Sequence, residues 1–475
     1  MDNKQQYLDI AAGEGKREPS MMVAFSAREV SYPLLEQRLQ EQTFFTQGEV
    51  DYLSDDKPGF TYTCRHGEDE LCFVIALLDR DPGEEIKPYF STDPLSPELL
   101  ARVNATGQDI VVECVFQQHP LVSYCYQLRL LQILAPDLLL GIDISAAGKG
   151  FTREWLNFML ADDVLPDIDT LYTIHAIYDA KNDPPTSFWF HTHGLARCGL
   201  TEAELVIPDA LSSWYGIPNL LCSFVNNSIE QQRITFNEPI LCGQTDSGYE
   251  YLVALPYEEG LRHVNQSTPL DQLRPLEEMR FDLDGVAENQ FTGDRADRDE
   301  NHRHPASMLF RTNEEHPVLE TFFKGYEDQN AIMFLRTNRE TGQMAHRAQS
   351  RWHYFTRMFE NYGVSTKTGK PGFFSRLLKK APAEEKREWG FMVKCGIPHG
   401  EQGEEREHMW FILENMQGDT FNGRLINQPF YVKSMKDGGV YSLEPSLITD
   451  WTIYYQDNSY TPNTIYQLFS GELVH

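Results

Sequence analysis

Two short runs of β-prone residues decide the predicted fold of the centre of the chain. Residues 171–178 read LYTIHAIY, and residues 187–191 read SFWFH. Between them, residues 182–185 read NDPP, a combination of turn-forming residues. Branched and aromatic residues favour strands, and turn residues between two such runs favour an antiparallel strand pair. The sequence therefore predicts a β-hairpin here.

The second strand of this hairpin leads into His191-Thr192-His193. Residues two apart on a strand project from the same face, and imidazole nitrogens are common ligands of Zn²⁺. The sequence therefore predicts a zinc site on His191 and His193. His175 on the first strand is a further candidate ligand, but two strand registers are open. One register places His175 opposite His191, and a shift by one residue turns it to the other face.

The spacing of the residues that follow resembles the signature of the JAMM metalloproteases, in which two histidines and an acidic residue bind zinc. The matching residues here are His191, His193, Thr201 and Glu204. That family has serine in place of Thr201, aspartate in place of Glu204 and usually proline in place of Gly194. The resemblance rests on this one motif.

This resemblance implies a zinc-dependent hydrolase in which His191, His193 and Glu204 hold the metal and a zinc-bound water is the nucleophile. It also implies an upstream catalytic glutamate, for which Glu113 is the candidate. Another interpretation needs no metal. Thr201 followed three residues later by Glu204 has the pattern of a capping box at the start of a helix.

The chain is strongly acidic, since 71 aspartates and glutamates stand against 41 lysines and arginines, for a formal net charge of −30. Proteins bind nucleic acids through lysines and arginines that neutralise phosphates, so we expect no nucleic-acid partner. An acidic surface steers association toward a basic protein partner. The most hydrophobic long stretch, residues 121–142, is interrupted by Arg129 and Asp137, so we expect no membrane partner.

The cysteines and the N-terminus bear on the compartment. The 8 cysteines form no CxxC pair, and most of them stand within apolar runs. Such cysteines are typical of buried thiols in a reducing compartment. Residues 1–7, MDNKQQY, do not form the apolar core of a secretory signal. These features predict a cytoplasmic protein without disulfides.

Apolar runs of strand length alternate with segments of helical spacing along the chain. This mixture predicts an α+β (mixed α/β) multi-domain fold with a strand-rich C-terminal part that forms a small barrel or a curled sheet. Predicted strands cover residues 21–25, 71–78, 109–116, 138–143 and 221–255, predicted helices cover residues 33–41, 96–103, 120–134, 316–325 and 341–362, and six short strands follow residue 389.

Shifts in composition predict the boundaries of these parts. Residues 258–305 are polar, and residues 366–387 are basic and contain proline and glycine, so both have the composition of linkers. The predicted parts are a flexible tail (1–20), an N-terminal α+β region with a break near 145–150 (21–260), a polar linker or excursion (261–305), a small α/β unit (306–363), a basic linker (364–388) and a C-terminal β-rich domain (389–475).

Two parts of the chain resemble bacterial families of unknown function. The first resemblance rests on residues 191–195 (HTHGL) and extends over residues 21–360. The second rests on residues 408–411 (HMWF) and 423–427 (GRLIN) and covers residues 389–470, a small domain. These resemblances imply a bacterial cytoplasmic protein. No functional residue transfers from them, because neither family has an established activity.

Two functions follow from the sequence. The first is non-enzymatic protein binding or regulation, of a stress-related or immunity-like kind and without a cofactor. It is favoured because the chain has no P-loop, no GxGxxG after a strand and no GxSxG motif. The second is a zinc-dependent hydrolase centred on the two histidines of residues 191–193. The two functions are distinguished by whether the side chains of His191, His193 and Glu204 converge on one point, as zinc ligands must.

Overall fold

The chain forms two compact units in a computed structural model. Unit 1 comprises Met1–Leu156 and Ile168–Thr337, and unit 2 comprises Asn157–Asp167 and Asn338–His475. Helices and several sheets occur together, which confirms the predicted α+β multi-domain fold. The structure describes residues 3–54, 58–81, 83, 85–162, 164–178, 188–207, 217–245, 248–264, 266–286, 304–313, 317–320, 333–363, 389–400 and 405–469.

Unit 1 contains a first seven-stranded sheet, in which every pair is antiparallel. Alternate residues are buried in three neighbouring strands of this sheet, as in Leu71, Phe73 and Ile75. This period of two is expected for a sheet with one face on the core. Its strands are β1 (Ser20–Ser26), β2 (Thr46–Tyr52), β3 (Phe60–His66), β4 (Asp69–Asp79), β5 (Gln108–Cys114), β6 (Leu138–Asp143) and β7 (Lys149–Phe151), in the order β2-β3-β4-β5-β1-β6-β7.

Unit 1 also contains a second seven-stranded sheet, which holds the predicted hairpin. Its strands Glu202–Ile207 and Ala306–Thr312 pair in parallel, and its other principal pairs are antiparallel. The strands are β8 (Thr173–Tyr178), β9 (Phe188–His193), β10 (Glu202–Ile207), β11 (Pro239–Thr245), β12 (Gly248–Pro256), β14 (Ala306–Thr312) and β16 (Met333–Phe334), in the order β16-β11-β12-β14-β10-β9-β8, and β13 (Thr268–Pro269) pairs separately with β15 (Val318–Leu319).

Three helices of the first part lie where the sequence predicts them. The side chain of Ser96 caps one of them by accepting a hydrogen bond from the backbone N–H of Leu99 at 3.1 Å, and Pro97 follows at the first helical position. The helices up to residue 260 are α1 (Asn3–Ala12), α2 (Tyr32–Glu41), α3 (Pro97–Asn104), α4 (Pro120–Leu134), α5 (Arg153–Met159), α6 (Ile217–Gln231) and α7 (Tyr257–Gly260).

The structure differs from the prediction in three places of unit 1. Within the helix predicted over residues 316–325, Val318–Leu319 form a strand that pairs with Thr268–Pro269. Helix α6 occupies residues predicted as strands, because its apolar side chains Leu220, Leu221, Phe224 and Val225 are buried at helical spacing. The N-terminal residues predicted as a tail form α1. There Tyr7 is 1% exposed, and its hydroxyl donates a hydrogen bond to a backbone carbonyl of β14 at 2.8 Å.

Unit 2 is an antiparallel sheet packed against two helices. Trp451 is fully buried in this core, and its indole N–H donates to the carbonyl of Ala348 at 2.9 Å. In the part of unit 2 that the structure describes, the sheet is open, so the barrel alternative is not formed. The elements are α8 (Asn338–Ser350), α9 (Trp352–Tyr362), β17 (Gly390–His399), β18 (Glu405–Gln417), β19 (Thr420–Leu425), β20 (Val440–Leu443), β21 (Ile448–Tyr455) and β22 (Asn458–Tyr460), with strand order β20-β19-β18-β17-β21-β22.

The single helix predicted over residues 341–362 is divided into α8 and α9 at Arg351. This residue is 1% exposed, and its guanidinium donates to the carboxylate of Asp162 at 2.8 Å and to the carbonyls of Pro462 and Phe158. The helix interruption therefore coincides with a buried arginine held by three acceptors.

The predicted boundaries map onto the two units as follows. The structure divides residues 306–363, because β14 to β16 belong to unit 1 while α8 and α9 belong to unit 2. Within the predicted polar linker, Leu261 and Met279 are buried in the core of the second sheet. The predicted basic linker, residues 364–388, lies outside the described residues. Among the helices that the structure describes, none has the length and apolar character required to cross a membrane.

One buried ion pair joins the two sheets of unit 1. Asp143 ends β6, and Arg197 lies in the 3-10 turn Ala196–Cys198 beyond β9. The two terminal nitrogens of the guanidinium each donate to one Asp143 oxygen at 2.9 Å. They also donate to the hydroxyl of Ser20 and to the carbonyl of Leu171. Burial alone would lower the pKa of Arg197, but the Asp143 carboxylate raises the pKa above its ordinary value, so the guanidinium stays charged.

Replacing Asp143 with alanine should therefore destabilise unit 1. The substitution leaves the charge of Arg197 buried without its carboxylate, which lowers the free energy of unfolding by about 3–5 kcal/mol. Urea denaturation followed by circular dichroism measures this loss. The control, Glu70→Ala, removes one partner of the exposed Arg65–Glu70 pair and should cost less than about 1 kcal/mol. Equal losses for the two variants would contradict the prediction.

Candidate metal centre

The candidate site is built on the hairpin of β8 and β9. In its register, Thr173 lies opposite His193 and His175 lies opposite His191. Directly paired residues of an antiparallel sheet place their side chains on the same face, a few ångströms apart. Of the two registers that the sequence leaves open, the structure has the one that brings His175 to the face of His191.

Three imidazoles converge on this face. One ligand atom from each of His175, His191 and His193 lies within 4.8 Å of the other two. The ring centroids are 5.2 Å apart for His175 and His191, 4.6 Å for His175 and His193, and 4.9 Å for His191 and His193. His191 is buried, and the other two are half-buried. Such a set of nitrogen donors suits zinc and related transition metals.

Aromatic rings pack against two of these histidines. The indole of Trp189 stacks on His191 with a centroid distance of 4.2 Å, and the ring of Phe90 lies 4.9 Å from that of His175. The N–H of Trp189 donates to the carboxylate of Glu204 at 3.1 Å. Side chains that are packed in this way lose rotamer freedom, so the rings are held near the cluster before any ligand binds.

Glu204 shares the face of the cluster without being part of it. It lies opposite His191 on β10 and is 2% exposed, and its carboxylate accepts the Trp189 hydrogen bond. Of the four predicted ligands, the structure therefore brings together the three histidines and not Glu204. The capping-box interpretation was wrong, because Glu204 belongs to a strand and Thr201 directly precedes that strand and pairs with the hydroxyl of Ser307.

Glu113, the candidate catalytic acid, lies elsewhere in unit 1. It belongs to β5 of the first sheet, where it pairs with Met21 and with Val74. The histidine cluster does not include it. A catalytic role of Glu113 therefore stays a prediction of the sequence resemblance.

Glu202 is a residue of this region that the sequence prediction missed. It is 8% exposed, and one carboxylate oxygen accepts backbone hydrogen bonds from Gly194 and Leu195 at 2.9 Å and from Ala196 at 3.3 Å. The other oxygen accepts a hydrogen bond from the hydroxyl of Thr192 at 2.7 Å. Burial raises the pKa of Glu202 to about 7, although these hydrogen bonds act to lower it.

Gly194, which follows the second histidine, has a backbone that requires glycine. Its φ is +119°, and a Cβ added there would lie 2.5 Å from the carbonyl oxygen of Leu171. Proline, which the JAMM family usually has at this position, fixes φ near about −65° and has no N–H to donate to Glu202. The departure from the family motif is therefore a requirement of this turn.

Replacing Gly194 with alanine should destabilise the turn through both strain and collision. A residue with a Cβ that is held at such a φ lowers the free energy of unfolding by about 1–3 kcal/mol, and the clash with Leu171 lowers it further. The control is Gly83→Ala, because Gly83 also has a φ of +119° but an added Cβ there meets no atom within 4 Å in the described part of the chain. Thermal denaturation should show the larger loss for Gly194→Ala. If Gly194→Ala lost no more thermal stability than the control, the prediction would be wrong, because the backbone at Leu171 would have moved to accommodate the added Cβ.

Comparisons with known families cover most of the chain. Residues 20–166 match the N-terminal model, and residues 174–310 the C-terminal model, of a protein of unknown function (DUF4026). Residues 373–472 match an uncharacterized protein conserved in bacteria (DUF2314). No curated protein and no solved structure matches the chain. The histidine cluster lies within the second match. The chain thus carries matches to the two DUF4026 regions and to DUF2314, which together support a multi-domain protein of a family of unknown function.

Proposed function

We propose that this protein binds a divalent transition metal, with zinc as the expected ion, through His175, His191 and His193. The observation that carries the proposal is the convergence of one ligand atom from each within 4.8 Å. Zinc takes imidazole nitrogens at about 2.0–2.1 Å, so two nitrogens on one tetrahedral ion are about 3.3 Å apart. Modest rotations of the three rings bring their nitrogens to this separation.

The chemistry of the donors favours a transition metal over calcium or magnesium. Ca²⁺ and Mg²⁺ take oxygen ligands, whereas imidazole suits zinc, copper, nickel and iron. Three neutral imidazoles leave the charge of a bound ion uncompensated. The carboxylate of Glu204, buried on the same face opposite His191, supplies a nearby negative charge.

A zinc-dependent hydrolase is a second proposal about the same site. Three protein ligands leave a fourth position open, and bound zinc lowers the pKa of a water in that position to about 7. The ligand set differs from that of the JAMM resemblance, because His175 takes the place of Glu204 as the third ligand. Glu204 then becomes the candidate proton acceptor, since it is the buried carboxylate paired with His191.

The other expectations from the sequence stay proposals. Support for a bacterial source comes from the match to a family conserved in bacteria. Support for a cytoplasmic location comes from the cysteines, all of which are free thiols, and 5 of which are buried. Non-enzymatic binding of a basic protein partner is supported by the net charge of −30. The net charge does not identify the residues that would bind a partner, so the metal site is the proposal with the more specific support.

Titration of the purified full-length protein with Co²⁺ tests the metal site. Cobalt replaces zinc and gives visible absorption bands that report its ligands, and we expect saturation at about one equivalent. His191→Ala should abolish the bands, because it removes the buried ligand. The control, His353→Ala, changes an exposed histidine of α9 and should leave them intact. Bands absent from the wild type, or retained in His191→Ala, would contradict the proposal.

A separate assay tests the hydrolase proposal. We expect the zinc-loaded protein to hydrolyse 4-nitrophenyl acetate faster than the metal-free protein, and Glu204→Gln to lose this activity while it retains zinc. The loss follows because a glutamine cannot accept the proton of the attacking water. Zinc binding without any metal-dependent hydrolysis would overturn the hydrolase proposal and leave the metal-binding proposal standing.

A further inference from the structure

The segment around His193 has a strand neighbour on each side. It is paired with β8 on one side, whereas on the side of β10 it is held by side-chain contacts. The pairs between β9 and β10 run from Phe188–Ile207 to His191–Glu204. Beyond that pair, the connections to the β10 segment pass through Thr192 and Glu202. The hydroxyl of Thr192 donates to Glu202 and accepts the backbone N–H of Ala203 at 2.8 Å.

Glu202 holds the backbone on both sides of His193. Thr192, which donates to one oxygen, comes immediately before this histidine. Gly194, Leu195 and Ala196, which donate to the other oxygen, come immediately after it. Four donors thus converge on a single buried carboxylate, and the direction of the His193 side chain follows from the backbone that they fix.

These contacts also distinguish Glu202 from the three candidate ligands. Both of its oxygens are engaged by donors of the hairpin and the turn, and the histidine cluster does not include it. Because Glu202 lies outside the cluster and binds the backbone next to one of its histidines, its place is that of an outer partner that orients a ligand.

We propose that Glu202 is the positioning residue of the metal site and that it aims the imidazole of His193 at His175 and His191. The inference rests on the proposed metal-binding function. Removing a residue that orients a metal ligand typically lowers the metal affinity by about 10–100-fold. Loss of the Glu202 carboxylate should therefore weaken binding by about that factor while all three ligands are still present.

Co²⁺ titration of three variants tests this inference. Glu202→Ala should weaken binding by about 10–100-fold and change the visible spectrum, because His193 leaves its coordinating position. Glu202→Gln keeps a carbonyl oxygen for the backbone N–H groups and should restore most of the affinity. The matched control is Glu250→Ala, which removes a carboxylate of the same sheet that is 2% exposed and pairs with Arg311. It should lower stability without changing the Co²⁺ affinity or spectrum.

A milder variant covers the case in which Glu202→Ala does not fold. Thr192→Val removes the one side-chain donor to Glu202, preserves the shape of the side chain, and should weaken Co²⁺ binding several-fold with a shifted spectrum. Wild-type affinity and spectrum in Glu202→Ala, or in Thr192→Val if the first variant is unfolded, would overturn the inference. If the wild type itself binds no Co²⁺, the metal-binding proposal fails instead, so the two failures are distinguishable.

Discussion

The position of the hairpin depends on one guanidinium, that of Arg197. This group makes a bidentate ion pair with Asp143 of the first sheet and also donates to the carbonyl of Leu171. Leu171 comes shortly before β8, and Arg197 comes shortly after β9, so a single side chain ties both ends of the hairpin to the neighbouring sheet. Bidentate arginine–carboxylate geometry is directional as well as strong, so the orientation of the hairpin is set together with its position.

Two buried carboxylates, those of Asp143 and Glu202, hold the turn that follows the His191-Thr192-His193 motif. Asp143 connects the turn beyond β9 to the first sheet through Arg197, and Glu202 connects the same turn to β10 through backbone N–H groups. Burying an ionised carboxylate is costly unless it is paired or fully hydrogen-bonded. Asp143 meets this condition with an arginine. Glu202 meets it with four hydrogen-bond donors, and its pKa of about 7 shows that burial still outweighs them.

The sequence predicted the hairpin and the two histidines at i and i+2, because both follow from local patterns. It left the role of His175 open, because register depends on a turn whose residues favour no single geometry. The spacing of Thr201 and Glu204 is typical of a helix cap, but Glu202 and Glu204 also alternate with apolar residues as a strand does. Helix α6 was missed because its branched and aromatic residues favour strands while their spacing is helical. Glu202 gave no signal, since three of its four hydrogen-bond partners are backbone groups.

The placement of all three histidines in one hairpin has a consequence for the order of folding. Asp143 and Arg197 lie 54 residues apart in the chain, and the segment from His175 to His193 is about a third as long. The entropy lost on closing a loop rises with its length, so the imidazoles come together at lower cost than the two sheets do. For the proposed metal site, this means that an ion would meet its ligand set before the two sheets join, and its binding would favour the native hairpin register from that stage onward.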